Sequence, residues 1–258
     1  MFLMKHTWAV TMILVGIFLL AQVVGLFITR YYIPVEGPAP DLPMGIERPE
    51  FDEETSFIPL FILILVATAI AFVLARFRFE FVWKVWFFVS IVFCVTIALN
   101  AFVTPALSKF FGELFVVLGP ISFRVSTAIA VIISLGFAFF KVFKRNLIIH
   151  NLGEIILYGG LAAIFVPIAN VLSISILLIL ISIYDYIAVR KTEHMVKLAK
   201  FQTNIKIFAG VLVPYKDGSA ILGGGDIGFP LLFAGVAMKT FGFKVLIISL
   251  FAALALLF

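Results

Sequence analysis

Residues 171–189 read VLSISILLILISIYDYIAV, and Arg190 follows directly. As a helix these 19 residues rise about 28 Å at about 1.5 Å each, close to the about 30 Å of a bilayer's hydrocarbon core. One charged side chain, Asp185, interrupts them. The stretch reads as a transmembrane helix that carries an acid, and an acid in that setting needs a reason.

The flanking sequence repeats the pattern. The chain is 64% hydrophobic, 16% aromatic and 13% charged over 258 residues, with a mean hydropathy of +1.22. Soluble domains run at about 45–50% apolar and about 25% charged, which excludes that class. Thirty-one Phe exclude a disordered chain, which is poor in aromatics and rich in charge. Hydropathy predicts spans at 8–29, 57–75, 82–103, 121–140, 152–168, 171–189, 220–238 and 243–258, an all-α polytopic transmembrane helix bundle of eight spans. The first run is longer than the about 7–15 apolar residues of a signal peptide and lacks a small-x-small cleavage site, so it is expected to be retained. The last is short and ends without a polar flank. Because a terminal carboxylate is costly in hydrocarbon, the reading expects the natural chain to continue past Phe258.

Charge is distributed unevenly between the connections. Residues 30–56 hold Pro34, Pro38, Pro40, Pro43 and Pro49 among seven acids, whereas 190–219 hold Arg190, Lys191, Lys197, Lys200, Lys206 and Lys216. With the N-terminus inside, thirteen Lys and Arg fall on the inner side and six on the outer, so the N-terminus and the connection between spans six and seven are expected to be cytoplasmic. Topology and anionic headgroups account for the net charge of +5, so nucleic acid is not an expected partner. Cys94 is the single cysteine, and His6, His150 and His194 are scattered. A disulfide framework and a Cys-based metal site are excluded within one chain, and neither metal nor cofactor is expected.

Glu154 lies at the end of its predicted span, and two acids lie deeper inside theirs. Asp185 precedes Arg190 by five residues, about 7–8 Å along a helix, and Asp226 lies about six residues, or about 9 Å, into the span expected from Ala220. An acid at a helix centre is disfavoured by about 2.5–3.5 kcal/mol on insertion, so such residues normally face the bundle interior and serve a site. Two carboxylates at one depth on neighbouring helices form a dyad that cannot ionise twice and holds a shared proton. The ionised member can deprotonate a water while the other donates to a scissile carbonyl. Gly223 and Gly225 would let an extended backbone approach, although small residues also serve helix packing. Pro230 leaves the carbonyl of Asp226 without its usual helical partner.

Tyr184-Asp185 in one span, then a basic connection, then Gly223-Gly224-Gly225-Asp226 in the next, resembles the presenilin and signal peptide peptidase family of intramembrane aspartyl proteases, whose signatures are Tyr-Asp and Gly-x-Gly-Asp. The resemblance extends over the helical layout of nearly the whole chain. It implies that Asp185 and Asp226 are the catalytic pair, supported by Tyr184, Gly223, Gly224 and Gly225, and that they cleave transmembrane helices of client membrane proteins. Orientation and compact loops look like an archaeal presenilin-like homologue. The family has nine helices with Pro-Ala-Leu at the start of the ninth, so the resemblance implies a truncated nine-helix fold. Pro105-Ala106-Leu107 occurs in span three, on the wrong helix and side, and reads as coincidence.

A single membrane-embedded domain is expected over 1–258, with helices one to five in 1–168 and the catalytic helices six to eight in 169–258. Expected partners are the bilayer, transmembrane-helix substrates and, as one option, a second copy of the chain in a homo-oligomer. The alternative is a proton- or cation-coupled transporter or channel, which would use the same acids beside a broken helix; it predicts internal symmetry that the two halves lack. A prepilin-peptidase type shares Gly-x-Gly-Asp but needs an acid near the N-terminus, and residues 8–29 contain none. His150, Asn151 and Glu154 cluster at one end of span five without a nameable partner. Residues 214–219 read as a solvated turn.

Overall fold

The computed structural model of the chain describes residues 8–34, 40–111, 114–118, 121–144, 146–190, 194–205, 207–215 and 218–257. Among the described residues seven stretches are long and apolar enough to cross a membrane. They are α1 (Trp8–Tyr32), α2 (Phe57–Arg76), α3 (Glu80–Phe111), α4 (Val125–Phe139) with a π-helical turn (Phe140–Lys144), α5 (Leu147–Phe165), α6 (Val171–Arg190), and a run of helix from Gly224 to Ala255. Between α6 and that run lie an amphipathic helix, α7 (His194–Asn204), and an antiparallel hairpin of β3 (Gly210–Tyr215) and β4 (Gly218–Gly223). A second hairpin, β1 (Phe115–Leu118) and β2 (Ile121–Arg124), links α3 to α4.

The helical bundle is the expected one, and its departures have local causes. Residues 121–124 and 220–223, expected as the starts of spans, are strands. Short apolar runs rich in β-branched and aromatic residues have no periodicity that separates strand from buried helix. The final run divides into α8 (Gly224–Phe241), a 3-10 turn (Gly242–Val245) and α9 (Leu246–Ala255). Gly242 takes φ 57° and ψ −148°, a positive-φ conformation that breaks the helix and that glycine, lacking a Cβ, adopts readily. The expected eighth span is therefore a helix of 10 residues, only about 15 Å long. Lys216 and Asp217 of the expected turn, and Phe258, lie outside the described residues.

The core forms around α1, which packs on α3, α5, α8 and α9 and buries Phe18, Ala21, Gln22, Leu26, Ile28 and Thr29. Close helix crossings rest on small residues, as expected where lipid tails are as apolar as the side chains. A Cβ at Gly160 of α5 would lie 1.9 Å from the carbonyl oxygen of Cys94 on α3. Several buried polar groups are tied down: Tyr32 Oη donates to the Ile97 carbonyl at 2.8 Å, and Thr104 and Thr127 both donate to Asn100 Oδ1, at 2.9 and 3.1 Å. Gln22 Nε2 donates to the Ile227 carbonyl at 2.9 Å, in the turn of α8 that Pro230 deprives of an N–H. At the other end of α8, Lys239 Nζ donates to Glu53 at 2.7 Å and to the Ala169 carbonyl at 3.0 Å, joining the acidic connection to the α5–α6 turn.

The apolar exterior belongs to lipid. On α2 the side chains of Ile62, Leu63, Val66, Ile70 and Val73 are each about half exposed. This helix leans on α6, where the hydroxyls of Ser56 and Ser173 meet at 2.7 Å. Several long apolar helices with exposed apolar faces make the chain a multi-pass membrane protein.

Candidate active site

α6 buries Ile174, Leu177, Ile181 and Ala188, whose spacings of three, four and seven trace one helical stripe. Asp185, four residues after Ile181 and three before Ala188, falls on that stripe. Its neighbours Ile183, Tyr186, Ile187 and Val189 point away and are exposed. Asp185 and Tyr184 are both half-buried. Arg190 closes the helix and lies 5.5 Å over the ring of Tyr186.

Asp226 is carried differently from the expectation. Gly223, extended at φ −64° and ψ 149°, is the N-cap of α8, so Asp226 is the third helical residue and lies in the first turn, not six residues inside a span. Its carboxylate accepts a hydrogen bond from the backbone N–H of Gly223. That is the N3-to-N-cap half of a capping box, satisfying one of the donors a helix start leaves open. The first turn also favours negative charge, by about 0.3–1 kcal/mol. α6 packs against α8, and the two carboxylates are close enough for their charges to act on one another. The pair lies at the end of the bundle where α6 terminates and where β3–β4 leads into α8.

The hairpin approaches the pair with one edge sealed. In β3, Val211 and Val213 face β4 in register with Leu222 and Ala220, so Gly210 and Leu212 turn their backbone groups the other way. Side chains of α5 take all four. His150 Nε2 meets the Gly210 carbonyl at 2.9 Å, and the Gly210 N–H donates to Glu154 Oε2 at 2.9 Å. Asn151 closes a two-way amide pair with Leu212, donating at 2.8 Å and accepting at 3.0 Å. Among the described residues the unpaired edge belongs to β4, at Ser219 and Ile221, and it ends at Gly223, whose N–H donates to the carboxylate of Asp226.

The three glycines before Asp226 are not equivalent. A Cβ at Gly224 would lie 2.3 Å from Tyr158 Oη, whereas one at Gly223 would meet Asp226 Oδ2 at 3.2 Å and one at Gly225 the Phe229 ring at 3.2 Å. Gly224 is thus the position that the protein's own packing requires. Tyr158 in turn donates to the buried carboxylate of Glu154, which also pairs with the buried Lys141. Sequence reasoning left His150, Asn151 and Glu154 without partners and passed over Tyr158 and Lys141. The available signal was the i, i+4 spacing of His150, Glu154 and Tyr158, a polar stripe on an apolar helix.

A family profile described as signal-peptide peptidase, presenilin aspartyl protease matches residues 15–226, from α1 through both motifs to Asp226 itself. The chain belongs to the signal-peptide peptidase and presenilin aspartyl protease family. A solved structure described as a presenilin family intramembrane aspartate protease, in a C222 crystal form, is similar in fold, with a TM-score of 0.54 and 17% identity over 88% of this chain and 76% of the other. No curated protein matches the chain. The family profile thus spans α6 and reaches the start of α8, the two segments that carry Asp185 and Asp226.

Proposed function

We propose that the chain is an intramembrane aspartyl endopeptidase in which Asp185 and Asp226 hydrolyse peptide bonds within transmembrane helices of client membrane proteins. The observation that carries this reading is that the two carboxylates, one on the inward stripe of α6 and one in the first turn of α8, lie at one end of the bundle near enough for their charges to interact. Asp226 is the better placed of the two to hold negative charge, with a backbone N–H and the positive end of a helix beside it. Asp185, near the C-terminal end of α6, is the better placed to hold the shared proton. Asp226 takes a proton from water as its oxygen attacks the scissile carbonyl carbon, and Asp185 donates its proton to the carbonyl oxygen. The tetrahedral gem-diol then collapses. Its C–N bond breaks as the proton held by Asp226 passes to the leaving nitrogen and a hydroxyl proton returns to Asp185, leaving a carboxylic acid and an amine.

A transmembrane helix hides its peptide bonds by satisfying every backbone group internally, so the substrate must unwind before it is cut. The freed backbone groups need partners, and the open edge of β4 supplies them beside Asp226. In this reading residues 1–168, with α1–α5, form the scaffold and residues 169–258, with the membrane helices α6, α8 and α9, form the catalytic part. The excess of Lys and Arg puts the hairpin and the N-terminus on the cytoplasmic side of the cell membrane.

The test is cleavage of a synthetic transmembrane peptide by the purified protein, with Asp185→Asn and Asp226→Asn assayed alongside and products identified by mass spectrometry. Cuts inside the apolar segment that disappear in both variants are expected. Equal cutting by either variant would remove the dyad from the mechanism. If no version cuts, proton- or cation-coupled flux in liposomes is the measurement that takes its place.

A further inference from the structure

Glu154 is 1% exposed and Lys141 is 5% exposed, a buried ion pair at one end of the bundle that the dyad mechanism does not use. Its donors come from three parts of the fold. Lys141 arrives from the π-helical turn after α4, Tyr158 lies one turn further along α5, and the Gly210 N–H opens β3. With three donors converging and none left for it to give, Glu154 is a carboxylate acceptor throughout. Lys141 is buried within a π-helical turn, a local form often found at functional sites.

Both elements that flank Asp226 hang from this one group. Through Gly210 it holds the first residue of β3, which lies in register with Gly223. Through Tyr158 it holds a hydroxyl pressed against Gly224, whose own N–H reaches back to the Ala209 carbonyl at 3.2 Å. The hairpin and the first turn of α8 are therefore referenced to a common anchor on α5. Resting on the protease reading above, we infer that Glu154 is a positioning residue, acting through Tyr158, that sets the offset between the substrate-pairing hairpin and the dyad and so selects which peptide bond is cut.

The test compares the full chain with Tyr158→Phe, which removes only the hydroxyl, and with the double variant Glu154→Gln/Lys141→Met, which removes both charges and strands neither. Products from one transmembrane peptide are read by mass spectrometry, with kcat, KM and thermal stability measured in parallel. Tyr158→Phe is expected to add cuts one or two residues from the original bond and to lower kcat about ten-fold with KM unchanged, the size of one lost hydrogen bond to a charged group. The double variant is expected to shift the cuts further. Wild-type cleavage positions in both, with rates that merely follow the folded fraction, would overturn the inference while leaving the protease reading intact. Asp185→Asn in the same assay marks the separate failure: if wild-type cuts persist there, or no protein cuts, the protease reading falls and this inference falls with it.

Discussion

At the scale of single residues, the site is defined as much by what Gly224 lacks as by what the two aspartates carry. A methyl group at Gly224 must displace the Tyr158 hydroxyl, 2.3 Å from where it would sit, and that hydroxyl is held by a buried carboxylate. Gly224→Ala is thus expected to break a hydrogen bond to a charged group, about 1.5–3 kcal/mol, and to lower kcat by about ten- to a hundred-fold if the whole loss falls on the transition state. Gly225→Ala, which meets only the edge of the Phe229 ring at 3.2 Å, should keep most activity in the same assay. Equal losses at the two positions would point to the substrate, not Tyr158, as what fills the space. The acids themselves were legible in sequence because charge inside an apolar run is conspicuous. The anchor was not, because Lys141 and Glu154 are thirteen residues apart and come together only when the π-helical turn after α4 packs on α5. Spacing within one helix can reveal a stripe but not which strand it will stitch.

At the scale of elements, the expectation of helix up to the membrane boundary failed where the function is concentrated. Residues 218–223, GSAILG, are apolar enough to extend a span, yet they pair with 210–215 as a strand, and the true helix starts at Gly224. Nothing in their hydropathy distinguishes the two, and the deciding factor is tertiary: α5 presents side chains that satisfy the far edge of β3. Ile221 turns its backbone away from β3, whereas Leu222 pairs with Val211. Proline at each position separates two roles, since it deletes one N–H and is tolerated only on an outer edge. Ile221→Pro is expected to fold with near-normal thermal stability and to lose cleavage, while Leu222→Pro should destabilise the protein. Full cleavage by a folded Ile221→Pro would mean that substrate does not dock on β4.

At the scale of the whole molecule, the bundle was readable from composition, since a mean hydropathy of +1.22 admits few other architectures. How the helices divide between core and lipid was not readable, because hydropathy is high on both sides of each helix. The three tryptophans offer a check: Trp8 is 59% exposed on α1, whereas Trp83 is 3% exposed and stacked among Trp86, Phe87 and Phe201. In vesicles containing brominated lipid, a variant retaining Trp8 alone should be strongly quenched and one retaining Trp83 alone should be largely spared. Comparable quenching would contradict the packing around α3. The amide clasp of Asn151 on Leu212 has a consequence at this same scale. A hairpin with two bare margins would be a seed, able to recruit chain after chain and to polymerise sideways. With its far margin stoppered, the sheet can be extended on one side only, so under the proposed protease reading a new client and a retained product compete for the same margin, and retained product should act as a competitive inhibitor.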